Sequence, residues 1–455
     1  MSVFVMFVEF RLPRIYNPFP VEPGNSKKHH SMKKIFLSAF LLCAGISLAQ
    51  SWQDLGTTQT MASVPNVNIA GRSNFLHLVY TDYVTERLSA KVYNGSTWTN
   101  YGSPNFAEGE LFNNEILTVL NDIPYVLTRD SLLRTTVMMH NGTDWVVCGE
   151  PLSTGEGGAS SITNDNVGIY VAYYESLENG VTVKRYDGVS WITVGNSGFS
   201  NGFTSSVSIS VSLGLPSVAC QENTHLSVLH FDGTSWDYVG SPEMTSMYAS
   251  SLHLRGLGPY HYLSYEDEAL GCRLRVIANF GNGWIPISES TLPLATGLHS
   301  SLEMLYGVPL LSFIGLDGYP HVMYEAGEGW LPIGYDEPEY GIVTHTDLNV
   351  FDGEVMVGYR SVNENDLLKV KYLASALGIP SISRGEVTLS PNPSSDVIVI
   401  QSSAPILAIR IRDSKGSLVS TTTMPTADIR ALSSGVYIVE IETQEGMVTK
   451  RFIRE

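Results

Sequence analysis

Along residues 50–372, short apolar runs and runs alternating with polar residues are separated by glycine-bearing turn pairs. Period-two alternation bounded by such pairs is the pattern of half-buried β-strands rather than helices. One phrase closes each unit: an aromatic residue, Asn or Asp followed by Gly, two more residues, then Trp. It stands as Tyr93-Asn94-Gly95-Ser96-Thr97-Trp98, His140-Asn141-Gly142-Thr143-Asp144-Trp145, Tyr186-Asp187-Gly188-Val189-Ser190-Trp191 and Phe231-Asp232-Gly233-Thr234-Ser235-Trp236, with shorter copies before Trp284 and Trp330. Asn-Gly and Asp-Gly supply the positive φ of a tight hairpin turn, so each phrase joins two antiparallel strands. Two more strands precede that hairpin. One is apolar with an aromatic end (75–80, 169–174, 260–265, 355–359), and a Ser-rich starter precedes it at 160–162, 205–207, 250–252 and 300–302.

The seven tryptophans, Trp52, Trp98, Trp145, Trp191, Trp236, Trp284 and Trp330, follow one another at nearly even spacing. A period in the forties with four strands per unit predicts a β-propeller. The chain opens on a lone Trp strand at 51–55 and ends the repeats on three strands, the last at 367–372. The expectation is an all-β protein: a seven-bladed β-propeller over 50–374, closed by an N-terminal outer strand that completes the last blade. Closure would remove an exposed sheet edge. After it come a linker over 375–388 and a small C-terminal Ig-like β-sandwich over 389–455, with strands expected at 397–400, 406–411, 417–420, 436–441 and 448–453.

Ahead of the repeats, Met32-Lys33-Lys34, an apolar run over 35–46 and Ser47-Leu48-Ala49 read as a signal peptide cleaved between Ala49 and Gln50. The segment 1–31 then stands upstream of the expected start, Met32. No later run is apolar enough to cross a membrane as a helix. Without residues 1–49 the chain has 21 Lys+Arg against 43 Asp+Glu, while from Val387 onward the two signs balance at seven each. The repeats therefore carry almost all of the negative charge, which sets them against nucleic acid and anionic lipid as partners. Three cysteines remain, Cys148, Cys220 and Cys272, each in a different unit. Buried apolar filler is the expected role, with one disulfide left open.

Loops joining the second to the third strand, and the fourth to the next unit's first, are the longer ones. They share one face in a propeller, where function tends to concentrate. The candidate ligand-binding residues there are Tyr83, Glu86, Phe112, Tyr248, Tyr265, Glu266, Asp267 and Tyr340, with a channel mouth ringed by Ser161, Ser206, Ser251 and Ser301. Aromatic faces beside carboxylates suit sugar stacking with hydroxyl hydrogen bonding, and equally a solvated acidic rim. Glu266-Asp267-Glu268 could help hold calcium, although the Gly-pivoted spacing of a calcium loop is missing. No other cofactor is expected. The scattered histidines include no His-Glu-x-x-His pair, and neither a nucleophile elbow nor a phosphate loop appears. The question of catalysis stays open, leaning against an enzyme.

The turn-plus-Trp phrase is similar in part to the Asp-box of sialidase-like propellers and to kelch repeats. The Ser-x-Asp half of the first and the double glycine of the second are absent, and the nine arginines of the repeats include no Arg-Ile-Pro. The tail resembles more closely the C-terminal sorting domain of type IX secretion cargo from Bacteroidetes. It carries Ser390-Pro391-Asn392-Pro393, Ile411-Arg412-Asp413-Ser414-Lys415-Gly416, Leu432-Ser433-Ser434-Gly435-Val436-Tyr437 and Lys450-Arg451-Phe452-Ile453. Pro391, Asn392, Pro393, Asp413, Gly416, Gly435, Tyr437 and Lys450 are the motif positions. The resemblance implies passage through the periplasm and across the outer membrane by the type IX machinery, then release or attachment to the outer cell surface. A secreted or surface-attached binding protein for a glycan or protein ligand is the expected function. The alternatives are a secreted sialidase-type glycoside hydrolase and a structural surface-layer component.

Overall fold

The computed structural model describes residues 50–454 apart from 59, 61, 73–74, 109–114, 289–291, 293–298, 328, 335–336, 352, 376–386, 392–393, 403–405, 413–417 and 444–445. The signal peptide with Ala49, the candidate Phe112, most of the expected linker, and Asn392, Pro393, Asp413 and Gly416 lie outside these residues. The described chain is all β apart from one 3-10 turn at Glu268–Leu270.

Seven antiparallel sheets occupy 50–375. In chain order we number the sheets by their first strands: Ala62–Arg72, Leu117–Leu120, Gly157–Asn164, Val207–Ser212, Ala249–Leu257, Ser301–Leu305 and Val343–Phe351. Sheets 1 to 6 each run through four consecutive strands and end on a short strand that opens with Trp, from Trp98–Asn100 to Trp330–Pro332. In sheet 7 the fourth strand is Gln50–Asp54, which pairs antiparallel with Leu367–Ser375 and sets Trp52 opposite Leu373. That partner strand continues past the expected end at Tyr372. A short strand, Ala107–Glu108, also adds to sheet 1 by pairing with Arg87–Tyr93.

One contact repeats at all seven tryptophans. Each indole N–H donates to the carbonyl of the residue three places after the preceding Trp: Trp98 to Leu55, Trp145 to Tyr101, Trp191 to Cys148, Trp236 to Val194, Trp284 to Val239 and Trp330 to Ile287. Trp52 donates to Ile333 at 3.2 Å in the same way. A buried indole needs such a partner for its single donor. The residue after that carbonyl sits at positive φ in every unit. It is Gly56, Gly102, Gly149, Gly195, Gly240 and Gly334, with Ser288 the exception. A Cβ on Gly102 would lie 2.7 Å from the Trp145 ring, whereas one on Gly142, also at positive φ, would meet nothing within 4 Å. Gly102→Ala is therefore expected to cost at least about 1 kcal/mol for the backbone, plus about 1–3 kcal/mol for the overlap. Gly142→Ala should cost the first part alone. Thermal unfolding of the two variants checks the difference.

Apolar layers fill the spaces between consecutive sheets, and one such layer joins sheets 1 and 7, with Val67, Ile69, Leu76 and Leu78 packed against Met356, Leu368 and Val370. The first strands also bond across the gaps. Asn68 accepts from Ile116 N–H at 3.1 Å, Ser161 from Ile209 at 3.2 Å, Ser208 from Leu254 at 2.9 Å, and Asp347 from Ile69 at 2.8 Å. The last of these passes from sheet 7 back to sheet 1.

The tail forms a three-stranded and a four-stranded sheet around one core of Ile398, Ile400, Ile409, Ile411, Ile429, Tyr437, Val439, Ile441 and Phe452. Two strands, Val387–Ser390 and Thr426–Asp428, add to the five expected. Tyr437 is buried, donates to the Ser433 carbonyl at 2.9 Å and stacks on Phe452. Gly435 and Lys450 are exposed on the paired strands Gly435–Thr443 and Gly446–Arg454, and Pro391 follows Ser390 through a cis peptide. Cys148 and Cys220 are buried as filler and all three thiols are free. The expectation fails at Cys272, which is exposed at φ 62° in the turn after Gly271, where no core reaches it.

Candidate functional site

Polar side chains stand at matching places on the first strands, Asn68, Ser161, Ser208, Ser301 and Asp347, with Glu115 just before the first strand of sheet 2 and His253 and Arg255 flanking the matching place in sheet 5. Four of these groups converge on Glu115. Its Oε2 accepts from Ser161 Oγ at 2.6 Å and Ser208 Oγ at 2.7 Å, and its Oε1 accepts from Arg255 Nη1 at 2.6 Å. Buried His253 lies with Nδ1 3.4 Å from the same Oε1. The other arm of Arg255 donates to Glu303 Oε1 at 2.7 Å. One guanidinium thus ties sheet 5 to carboxylates on sheets 2 and 6, using the planar fork that suits arginine to two acceptors.

Electrostatics separate the acids. Burial works against the charge on Glu115, but Arg255, then His253 and Ser161, bring its carboxyl down to about 2. Burial raises Asp347 to about 7, opposed by the Ile69 N–H and Ser301 Oγ and reinforced by nearby Glu303. Burial also opposes the Arg255 charge, yet Glu303 and Glu115 hold its pKa above the ordinary value. The cluster joins ionised Glu115 and Arg255 to a carboxyl that keeps its proton up to neutrality.

The serine ring is shifted from the sequence expectation. Ser161 and Ser301 reach the central acids, Ser301 Oγ standing 3.2 Å from Asp347 Oδ1. In sheet 4 that role falls to Ser208, not Ser206. In sheet 5 Ser251 sits at φ 50° inside a bulge between Ser250 and His253, so the strand's polar reach passes to His253 and Arg255.

The longer loops do share a face. Thr85 Oγ1 donates to Asn105 Oδ1 at 2.6 Å, Glu268 N–H to the Tyr248 carbonyl, Asn223 N–H to the Phe203 carbonyl and Val362 N–H to the Ile342 carbonyl. Each bond joins a loop between second and third strands to the loop after a fourth strand. On this face Tyr83, Tyr248 and Tyr340 are 53%, 38% and 66% exposed. Glu86 is exposed at φ 55°, and Tyr340 meets Tyr319 edge to face at 6.2 Å.

Three candidates are turned inward. Tyr265 is buried in the core with Leu252, Leu254 and Ile277, because its strand is covered on both faces and is buried at every position after Tyr260. Glu266 is buried, accepts from Ser250 Oγ at 2.8 Å and has its pKa raised by burial. Asp267 caps the 3-10 turn by accepting from Ala269 N–H and pairs with Arg275 at 3.1 Å. Their oxygens are engaged by the protein itself. No group of three His, Cys, Asp or Glu side chains is placed to hold a metal ion among the described residues. Tyr248 precedes sheet 5 and Glu266 and Asp267 end its second strand, whereas Tyr83 and Glu86 belong to sheet 1 and Tyr340 precedes sheet 7. The central residues Glu115, Arg255, Glu303 and Asp347 were missed from sequence. Their recurrence one repeat length away from polar neighbours in adjoining units was the available signal.

Residues 388–455 match the secretion system C-terminal sorting domain, which marks the chain for export to the medium or the cell surface through the type IX machinery. No helix among the described residues is long and apolar enough to cross a membrane. No curated protein matches the chain. Among solved structures, the β-propeller domain of the Trilobed protease from Pyrococcus furiosus is 9% identical over 70% of this chain and 98% of that one, with a TM-score of 0.46. The fucose-specific lectin from Aleuria aurantia is 15% identical over 60% and 96%, with a TM-score of 0.41. A prolyl endopeptidase is 12% identical over 83% of this chain, with a TM-score of 0.41, and this chain spans 59% of its length.

Proposed function

We propose that this is an exported binding protein whose seven sheets are the blades of a β-propeller over 50–374, closed by the N-terminal strand. A linker over 375–388 joins it to the sorting domain over 389–455. The leader is removed between Ala49 and Gln50 on the way through the periplasm. The ligand is a glycan or an extracellular protein, taken by the long-loop face. One observation supports this most. Exposed Tyr83, Tyr248 and Tyr340 stand on that face, while the charged groups at the centre are bonded to one another. Rings presented on a rigid scaffold suit stacking on sugar or protein at low entropic cost.

The test is a glycan array and a pull-down of extracellular proteins with the chain from Gln50 onward. Binding that falls about tenfold in Tyr83→Ala with Tyr340→Ala, at an unchanged melting temperature, supports the reading. Silence in both assays sinks it. A glycoside hydrolase is the second reading, favoured by Asp347 holding its proton up to about 7 while Glu115 in the same central cluster is held at about 2. Carboxyls held in opposite proton states are what acid and nucleophile need. Turnover of aryl glycosides that disappears in Asp347→Asn would establish it, and we expect none.

A further inference from the structure

We propose that the long-loop face docks a polypeptide partner presenting lysine or arginine among apolar side chains, a deepening that rests on reading this face as the binding face. The loop between second and third strands carries an exposed aliphatic tip in six of the seven sheets. The tips are Val84, Leu132, Leu177, Leu270, Leu316 and Val362, exposed by 39–81%. Sheet 4 has only a short turn there, at 223–224. Phe203, 52% exposed, fills that place from the adjoining loop, and its carbonyl accepts the Asn223 N–H at 3.1 Å. A tip at the same place in every sheet is not the scatter of single apolar residues found on any surface.

The tips are held in place. Asp82 Oδ1 accepts from Val84 and Thr85 N–H at 3.0 Å, and Asp130 Oδ1 from Leu132 N–H at 2.9 Å. Glu222 Oε1 accepts from Asn201 N–H at 2.8 Å in the loop that carries Phe203, and Asp267 caps the turn that carries Leu270. Side-chain acceptors of this kind fix a loop's backbone, so docking would cost little ordering entropy.

Charge names the partner. Among the described residues, the two loop sets of this face present eight exposed carboxylates, among them Glu86, Glu178 and Glu268, as well as Glu364, which pairs with Lys369, and Asp317, which lies 3.1 Å from His321. Among their described residues there is one Lys or Arg, Arg134, and it is bonded to Asp130 at 2.6 Å. Apolar tips interleaved with an excess of carboxylates complement a basic, apolar-studded surface and repel an anionic bilayer.

The experiment immobilises the chain from Gln50 onward. It is offered an alternating Leu-Lys peptide, an alternating Leu-Glu peptide, oligolysine and phosphatidylcholine vesicles. Preferential capture of the Leu-Lys peptide, weakening steeply as salt rises, is expected. Leu177→Ser with Leu316→Ser should weaken it on the order of tenfold at an unchanged melting temperature and leave weak oligolysine binding as it was. Glu86→Gln with Glu178→Gln should flatten the salt dependence. Equal capture of the Leu-Glu peptide or the vesicles overturns the proposal, as does a serine variant that binds like the parent. Tyrosine-dependent glycan binding with no peptide capture sinks this inference alone, whereas loss of every binding signal sinks the wider reading of the face.

Discussion

Trp52→Ala is expected to lower stability by about 3–5 kcal/mol, the cost of removing a large buried ring and leaving its space empty. Trp52 is 7% exposed, packs with Tyr324, Ile333 and Tyr359 between sheets 6 and 7, and loses its bond to the Ile333 carbonyl on truncation. Deleting 50–56 should cost more. That segment pairs along its whole strand with Leu367–Ser375, and the Leu55 carbonyl is the partner of the Trp98 indole. Without it one strand edge and one indole donor are stranded together, and the apolar layer between sheets 7 and 1 loses Leu55. We expect a large drop in the thermal midpoint and a less cooperative urea transition, read by circular dichroism. A melt like that of the parent would show that the two chain ends do not support each other.

At the centre, Arg255→Met should cost about 3–5 kcal/mol at neutral pH, because Glu115 and Glu303 are left half-buried without a counter-charge. The loss should shrink as the pH falls toward 4, since Glu115, raised by burial and no longer held down by Arg255, then takes a proton. Asp347 carries the opposite sign from Glu115. A carboxyl raised to about 7 stabilises the fold fully below its ordinary value near 4, and that contribution is lost as the pH rises through 7. Glu115, held at about 2, contributes above its ordinary value and loses that contribution as the pH falls toward 2. Asp347→Asn keeps an oxygen for the Ile69 N–H and removes the titration. Its stability should stay flat between about pH 4 and pH 7 where the parent declines. Urea unfolding at a series of pH values decides it. Parallel curves for the two proteins would rule out Asp347 as the group responsible.

Much of the local structure was legible because it is encoded locally. Each aromatic, Asn/Asp-Gly, Trp phrase is a third strand, a tight turn and a fourth strand, with Asn94, Asp187 and Asp232 accepting from the turn amides. The outward phase of Tyr83 and Tyr340 followed from loop position. Tyr265 did not, because whether a strand's last aromatic faces core or solvent depends on a neighbouring sheet. The bulge before His253 moved the central position off the serine phrase, and no local residue signals that shift. The glycine four places after Trp was in plain view, but its purpose needs the next unit's indole beside it.

The sequence alone determined the strand content, the repeat length, the turn chemistry, the excess negative charge of the repeats and the export signal of the tail. These depend on residue type and on spacing within a single repeat or a single short motif. Only the tertiary structure decided which polar side chains meet. The union of Glu115 with Arg255 and Glu303, which belong to consecutive repeats far along the chain from it, exists because the packing of the sheets brings distant segments together. So too does the recurrence of exposed apolar tips in the loops between second and third strands. Each tip alone is an ordinary exposed side chain, and it becomes part of a surface only when the packing of seven sheets repeats its position.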